Sequence, residues 1–389
     1  MYRNTELGDR WLYGLNKRFL VYLKKLNLIN FRNYKRVDLS LGSKINVFVG
    51  DNAQGKTNIL ESILVLALTK SFRGSLDSEL IRFGAVKSKI KCKVMNEGLL
   101  KNLEVSIENG KKGFKVNNTN IYKISDYISN LSVICFSPDD LNIVKDAPSV
   151  RRNILNIQIS QLSRNYLNTY NEYNKLLKTR NEYLKLLLTS SIADKKYLDI
   201  ITDKLIEKAL IIYNERKLYI DAINENINGI YNDITGDDGL RVCYYPNVDF
   251  SSYDVSYMKE KLNDIYQKNY RKELNAGMTL YGPHRDDFSF YLNDNNLKLF
   301  GSQGQQRVAI ISFKLSEISI FENRHGTKPV LLFDDIFSEL DIKKRNRLMK
   351  FISNDIQAII TTTDLKNIQK KYLNDSIIFD VENGNIIRK

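Results

Sequence analysis

The sequence is poor in the residues that build metal centres and disulfide frameworks. Its 389 residues include three cysteines and two histidines. Cys92, Cys135 and Cys243 lie far apart and none belongs to a CxxC pair, and His284 and His325 are the only histidines, which argues against a zinc site. All three thiols are expected to be buried and reduced. Long apolar runs are also missing. No stretch approaches the roughly 20 uncharged apolar residues of a membrane span. The N-terminus carries basic residues but no apolar run ending in small residues, which argues against a secretory signal. A soluble, cytoplasmic protein with no membrane partner is expected. Proline is scarce too, at five residues, and between Ser149 and Asn228 there is neither proline nor glycine.

Basic residues, in contrast, are plentiful. Lys and Arg number 59 against 45 acids, for a net charge of +14. Such an excess favours polyanionic partners through charge steering and counterion release. A lysine-rich composition gives the same excess, since Asn, Ile and Tyr are abundant as well. Charge alone does not choose between them.

The first 20 residues show no sustained period. After them, Tyr22–Asn30 alternates and Lys44–Val49 is a compact β-rich run, so both read as strands. Helical spacing follows over Thr57–Leu68. Short alternating runs with Asn-Gly turns between about 88 and 136 suggest a small antiparallel sheet. From Ser149 to about Asp233 apolar residues recur at three- and four-residue intervals. A polar break at Thr189-Ser190-Ser191 divides this region into two helices of roughly 40 residues, each about 60 Å long. Beyond about residue 275 the unbroken apolar runs Val330–Asp335, Gln357–Thr363 and Ser376–Asp380 suit a parallel sheet covered on both faces. The expected organisation is an α/β head formed by 21–148 and 271–389, with an antiparallel helical arm, 149–270, inserted as a second lobe. Residues 1–20 stand apart as an N-terminal extension.

The strongest motif is Gly50-Asp51-Asn52-Ala53-Gln54-Gly55-Lys56-Thr57, a GxxxxGK[ST] loop that follows a strand and opens a helix. Glycines at its ends let successive N–H groups face the phosphates of a nucleotide, with the helix N-terminus behind them. Lys56 is placed to neutralise β- and γ-phosphate charge, and Thr57 to offer its hydroxyl to Mg²⁺. Asp334, at the acidic end of the Val330 strand, is the matching candidate for Mg²⁺, and Asp335 for orienting or deprotonating the attacking water. Gly301-Ser302-Gln303-Gly304-Gln305-Gln306-Arg307 leads small residues into a helix, a second anion-binding N-terminus. It resembles the signature segment of ABC-type ATPases, with Gln303 standing where Gly is usual. That resemblance implies ATP-dependent dimerisation, in which Ser302–Gln305 of one copy cover the γ-phosphate held by the other. Ser338-Glu339-Leu340-Asp341 sits at the spacing of an ABC D-loop, and an N-cap for the helix from Ile342 explains Asp341 equally well. Thr361–Thr363 occupy the place of the switch histidine of transporter ATPases.

Taken together, several stretches resemble the RecF family, from about Tyr22 to the end of the chain. They are Asn30–Tyr34 (NFRNY), Gly50–Thr57, Phe136–Leu141 (FSPDDL), Gly282–Asp287 (GPHRDD), Ser302–Arg307 and the Asp334-Asp335 pair. The resemblance implies a two-lobed ABC-type head that hydrolyses ATP slowly and dimerises around it. It further implies DNA binding at single-strand/double-strand junctions, in recombinational repair with RecO and RecR loading RecA. Arg32 and Asn33 are expected near the nucleotide, by the same resemblance. Lys145, Arg151 and Arg152 either touch DNA phosphates or form a solvated charge cluster, and His284 and Arg285 either contact DNA or stabilise a turn. Because the resemblance starts near Tyr22, Val21, read as an alternative start codon, is expected to begin the natural protein.

Three other readings compete. A transporter ATPase subunit is opposed by the helical insertion and the missing switch histidine. A Rad50- or SMC-like tether would need much longer arms, and for Rad50 a CxxC hook. A DNA-binding scaffold with ATP as a structural ligand is separated only by turnover.

Overall fold

The computed structural model describes residues 20–71, 73, 76–96, 98–189, 194–352 and 355–389, so the extension, residues 1–19, lies outside them. The chain forms two compact units. One comprises residues up to Leu141, Gly229–Asp237 and Arg307–Lys389; the other comprises Asn142–Asn228 and Asp238–Gln306.

The first unit is built on two six-stranded sheets. In one, Asn385–Arg388, Ile377–Glu382, Ile45–Val49, Ala358–Thr362, Val330–Asp334 and Val133–Phe136 lie side by side in that order. All neighbours are parallel except the C-terminal hairpin. Ala358–Thr362 and Val330–Asp334 are buried at every position, as strands covered on both faces must be. The second sheet is antiparallel, in the order Tyr34–Ser40, Tyr22–Phe31, Lys87–Asn96, Leu99–Glu108, Lys111–Val116 and Thr119–Ile121. Its hairpins turn at Asn109-Gly110 and Asn117-Asn118, where all four residues have positive φ, the mirror-image turns that match strand twist. This sheet is larger than the sequence suggests, since it recruits the first two strands, while Val133–Phe136 leaves it for the parallel sheet. The helix Lys56–Leu68 touches strands of both sheets and is buried from Ile59 to Ala67, a stretch that is apolar apart from Glu61 and Ser62.

The second unit contains the helices Pro148–Leu162 and Arg164–Thr189, most of the 41-residue helix Lys195–Thr235, and the helices Val255–Lys268 and Tyr270–Ala276. The long helix matches the expected arm, and Tyr183 meets Tyr197 edge-on at 4.8 Å, as antiparallel neighbours should. The other half differs from the expectation, for it is two helices and not one. Ser163 breaks it with an extended backbone (φ −142°, ψ 109°), and its Oγ accepts from the Tyr166 N–H at 3.1 Å, capping the next helix. The expected break at Thr189–Ser191 falls largely on residues 190–193, outside those described.

The division of the chain also differs from 149–270. Leu240–Tyr245 pairs antiparallel with Asp287–Leu292, which pairs in turn with Asn295–Asn296. That sheet carries the second unit on to Gln306, so residues 271–306 belong with the helices and not with the head.

Candidate nucleotide-binding site

The loop Gly50–Thr57 connects a buried strand to the N-terminus of the buried helix. Two glycines are required by its geometry. A Cβ on Gly50 would lie 2.2 Å from the Val381 carbonyl oxygen. Gly55 has φ +114°, and a Cβ there would meet the Asn33 Nδ2 and the Tyr34 hydroxyl at under 3 Å. The Tyr34 hydroxyl donates to the Gly55 carbonyl at 3.0 Å. Gln54 is held from the other side: its Oε1 accepts from the Asn383 N–H at 2.6 Å and its carbonyl from the Gly384 N–H at 3.3 Å. The turn of the C-terminal hairpin therefore braces the loop, a contact between residues over 300 positions apart that no local pattern announces.

Lys56 folds back over the loop, and its Nζ donates to the Gly50 and Asp51 carbonyls at 2.7 Å each. Burial pushes its ammonium below the ordinary lysine pKa, and the carboxylates of Asp335, Asp334 and Asp51 oppose that shift. Thr57 Oγ1 donates to Asp334 Oδ1 at 2.9 Å. The two residues expected to share Mg²⁺, 277 positions apart in sequence, thus meet at one point. Thr361 completes the group. Its hydroxyl donates to Asp334 Oδ1 at 2.8 Å and accepts from the Asp335 N–H at 3.1 Å. Burial raises the Asp334 carboxyl above its ordinary pKa, while the Thr361 and Thr57 hydroxyls hold it down.

Asp335 has φ +51° and a buried Oδ1 with no hydrogen-bond partner in the protein. A buried acceptor without a donor costs roughly 1–3 kcal/mol, so such an atom calls for a ligand or water. The donor set (two acids, a threonine hydroxyl, a lysine and loop N–H groups) suits a triphosphate with a hard divalent cation.

Arg32 and Asn33 part company. Asn33 stays at the loop, accepting from Asn58 Nδ2 at 2.8 Å. Arg32 instead grips Glu61, a fully buried residue of the loop helix, through Nε at 2.8 Å and an Nη at 2.6 Å. Its guanidinium thus neutralises a carboxylate buried in that helix.

The signature segment begins the helix Gln303–His325. Gln305 N–H donates to Ser302 Oγ at 3.2 Å and Ser302 N–H to Gln305 Oε1 at 2.9 Å, a reciprocal capping box. Ser302, Gln303 and Gly304 are exposed. Within the first unit, Arg307 bridges to the D-loop, donating to the Glu339 carbonyl at 3.0 Å and pairing with its carboxylate at 2.9 Å. Ser338 Oγ donates to the Asp335 carbonyl at 2.6 Å, and Asp341 caps the helix from Ile342 by accepting from Lys344 N–H. Asp140 of the FSPDDL stretch accepts from Ser137 N–H and pairs with Lys314 at 2.5 Å.

The arginines proposed for DNA are engaged within the protein, Arg151 buried and Arg152 half-buried. Arg151 is 4% exposed and binds both oxygens of Asp287, at 2.6 and 2.9 Å. Arg152 donates to the Asp286 carbonyl at 2.8 Å. Lys145 is exposed at the end of a short helix. The GPHRDD stretch proves to be a structural knot. Asp286 is fully buried and accepts from Arg216 at 2.6 Å, from the Tyr244 hydroxyl, and from Asn247 N–H at 2.8 Å. His284 sits between the Tyr173 hydroxyl at 2.7 Å and the Thr279 carbonyl at 3.2 Å, and burial pushes its pKa down to about 4. Those two contacts tie the ring into the turn.

The family model for the RecF/RecN/SMC N-terminal domain matches residues 22–385. The DNA replication and repair protein RecF of Bacillus subtilis is 38% identical over 371 residues, covering 95% of this chain and 100% of that protein. RecF of Ligilactobacillus salivarius is 39% identical, covering 94% and 97%. The chain belongs to the RecF family. A solved structure of the recombination mediator protein RecF with ATP superposes with a TM-score of 0.88 at 31% identity, over 97% of this chain and 100% of that one. An Smc head from Pyrococcus furiosus shares the fold, with a TM-score of 0.54 at 16% identity. RecF membership fixes the ABC-type head as the architecture and places the chain in DNA replication and repair. Among the described residues, no helix is long and apolar enough to cross a membrane.

Proposed function

We propose that this RecF protein binds ATP with Mg²⁺ in the Gly50–Thr57 loop, hydrolyses it slowly, and pairs with a second copy across the nucleotide while held on DNA. The observation that carries this reading is the meeting of Thr57, Asp334 and Thr361 beside the unpartnered Asp335 carboxylate. Thr57 and Asp334 are the residues that would hold Mg²⁺, which when bound neutralises β,γ-phosphate charge. Lys56 exchanges its two carbonyl acceptors for phosphate oxygens, and the loop N–H groups, fixed by Gly55 and Gln54, orient the phosphates. Asp335 orients water for in-line attack. Ser302, Gln303 and Gly304, exposed on a capped helix N-terminus, close the site from the second copy together with the half-buried Gln305. Arg307 and Glu339 tie that helix to the D-loop. Partnership with RecO and RecR, and the loading of RecA, follow from the pathway of the relatives; the cytoplasm is the compartment that fits these partners.

The test is ATP titration and turnover with and without gapped duplex DNA, on the native chain and on Lys56→Ala. DNA should raise turnover, and Lys56→Ala should bind ATP about ten- to a hundredfold more weakly, since a charge-assisted contact contributes roughly 1.5–3 kcal/mol. Equal ATP affinity in the two proteins would defeat this assignment.

A further inference from the structure

With Arg151 and Arg152 held by Asp287 and the Asp286 carbonyl, Lys145 alone of the three DNA candidates stands exposed, too little to form a DNA surface. We propose that the outer face of the six-stranded antiparallel sheet is that surface, and that it takes the phosphate backbone of duplex DNA without regard to sequence; this rests on the DNA-binding reading above.

The strand Lys87–Asn96 is two-faced. Ser88, Ile90, Cys92 and Val94 point into the core, and Lys87, Lys89, Lys91 and Lys93 alternate with them on the other side. Pairing continues the charge across the sheet. Lys25 stands opposite Lys93, and Arg36 lies on the same side one strand further out, opposite Ile29. In the other direction, Lys115 stands opposite Glu104 and Lys111 opposite Glu108. These eight basic side chains face three acids, Asp38, Glu104 and Glu108. Two of those acids are already engaged, Asp38 with Lys25 at 3.4 Å and Glu104 with Lys91 at 3.0 Å.

Ordinary reasons for surface lysine do not account for this row. Lysines often guard exposed sheet edges against aggregation, but this strand is interior and hydrogen-bonded on both sides. Solubility is served by interspersed signs, whereas four lysines alternate along this one strand, and Lys93 lies directly opposite Lys25. The row Lys87–Lys93 spans about 20 Å, a length over which a duplex carries roughly a dozen phosphates. A depression of about 340 Å³ opens on the face, lined among others by Lys25, Lys91, Lys93, Asn102 and Lys115. Single-stranded nucleic acid is held largely by stacking on aromatic rings. Along the lysine row the outward positions carry no ring, and Tyr22, opposite Met95, stands half-buried beyond its end, so the row meets a phosphate backbone and not a succession of stacked bases.

The test is anisotropy of a labelled random-sequence duplex, with ATP present, across a salt series. The Lys87→Gln/Lys89→Gln/Lys91→Gln/Lys93→Gln variant should bind at least tenfold more weakly at low salt. Its slope of log affinity against log salt should flatten by up to ~3.6, at about 0.9 per lost phosphate contact. The charge-matched Lys259→Gln/Lys261→Gln/Arg271→Gln/Lys272→Gln variant, altered on exposed helices of the other unit, should keep both affinity and slope. Both should keep the DNA-free turnover of ATP. An unchanged slope in the sheet variant while the native protein binds duplex would overturn the location and leave the DNA-binding reading intact. Equal losses in the two variants would reduce the effect to bulk charge, and preferential binding of phosphatidylserine vesicles over duplex would assign the face to lipid. A native protein that does not bind duplex would sink the DNA-binding reading itself.

Discussion

Asp335→Asn should lower ATP turnover about a hundredfold or more while leaving ATP affinity within a few-fold of native, as removal of a water-orienting or general-base carboxylate does. The substitution is conservative in every other respect. Asparagine tolerates the positive φ of 51° that position 335 adopts, and the backbone N–H can keep its bond to Thr361 Oγ1. What changes is the buried Oδ1 that has no protein partner. Turnover and equilibrium binding of a labelled ATP analogue separate the two effects. Loss of affinity without loss of turnover would move the chemistry away from this residue, and Asp334 would then have to act alone.

A second large effect lies far from the nucleotide loop. Asp286→Ala should destabilise the second unit by about 3–5 kcal/mol, the usual consequence of breaking a buried ion pair from one side. Arg216, 1% exposed, would be left with the Pro283 carbonyl, Asn156 Oδ1 and the Tyr166 hydroxyl as acceptors and no counter-charge. The Tyr244 hydroxyl and the Asn247 N–H would lose their acceptor as well. The double variant Asp286→Ala/Arg216→Met removes the orphaned charge and should regain part of the loss. Urea denaturation followed by circular dichroism measures both, and limited proteolysis reports which unit opens first. If Asp286→Ala unfolded at the native midpoint, the GPHRDD stretch would have to be kept for something other than architecture.

What the sequence made legible follows from the range of the interactions. The nucleotide loop, the acidic strand end and the capped signature helix are each written within about eight consecutive residues, because glycine geometry and helix capping are local requirements. The convergence of Thr57 with Asp334 was readable through the motif pair. Long-range partners were not. Nothing near Arg32 announces Glu61, and Arg151 and Arg152 look like free charges until Asp287 and the Asp286 carbonyl, over 130 residues away, are brought against them. The same holds for the unit boundary, set by the pairing of Leu240–Tyr245 with Asp287–Leu292. The break at Ser163 lies inside an apolar period that runs on through it, so the period does not show it. The lysine row at 87–93 was legible as alternation, and only the pairing on both sides showed that its strand is interior.

The central claim is a nucleotide site completed by a second copy of the chain. The most direct test is the solution mass of the Asp335→Asn protein by light scattering, with and without Mg²⁺–ATP. A shift from 45.2 kDa to roughly twice that mass on adding ATP, abolished by Ser302→Arg, which blocks the exposed helix N-terminus, is the predicted result. A mass that stays at the monomer value with ATP bound would contradict it.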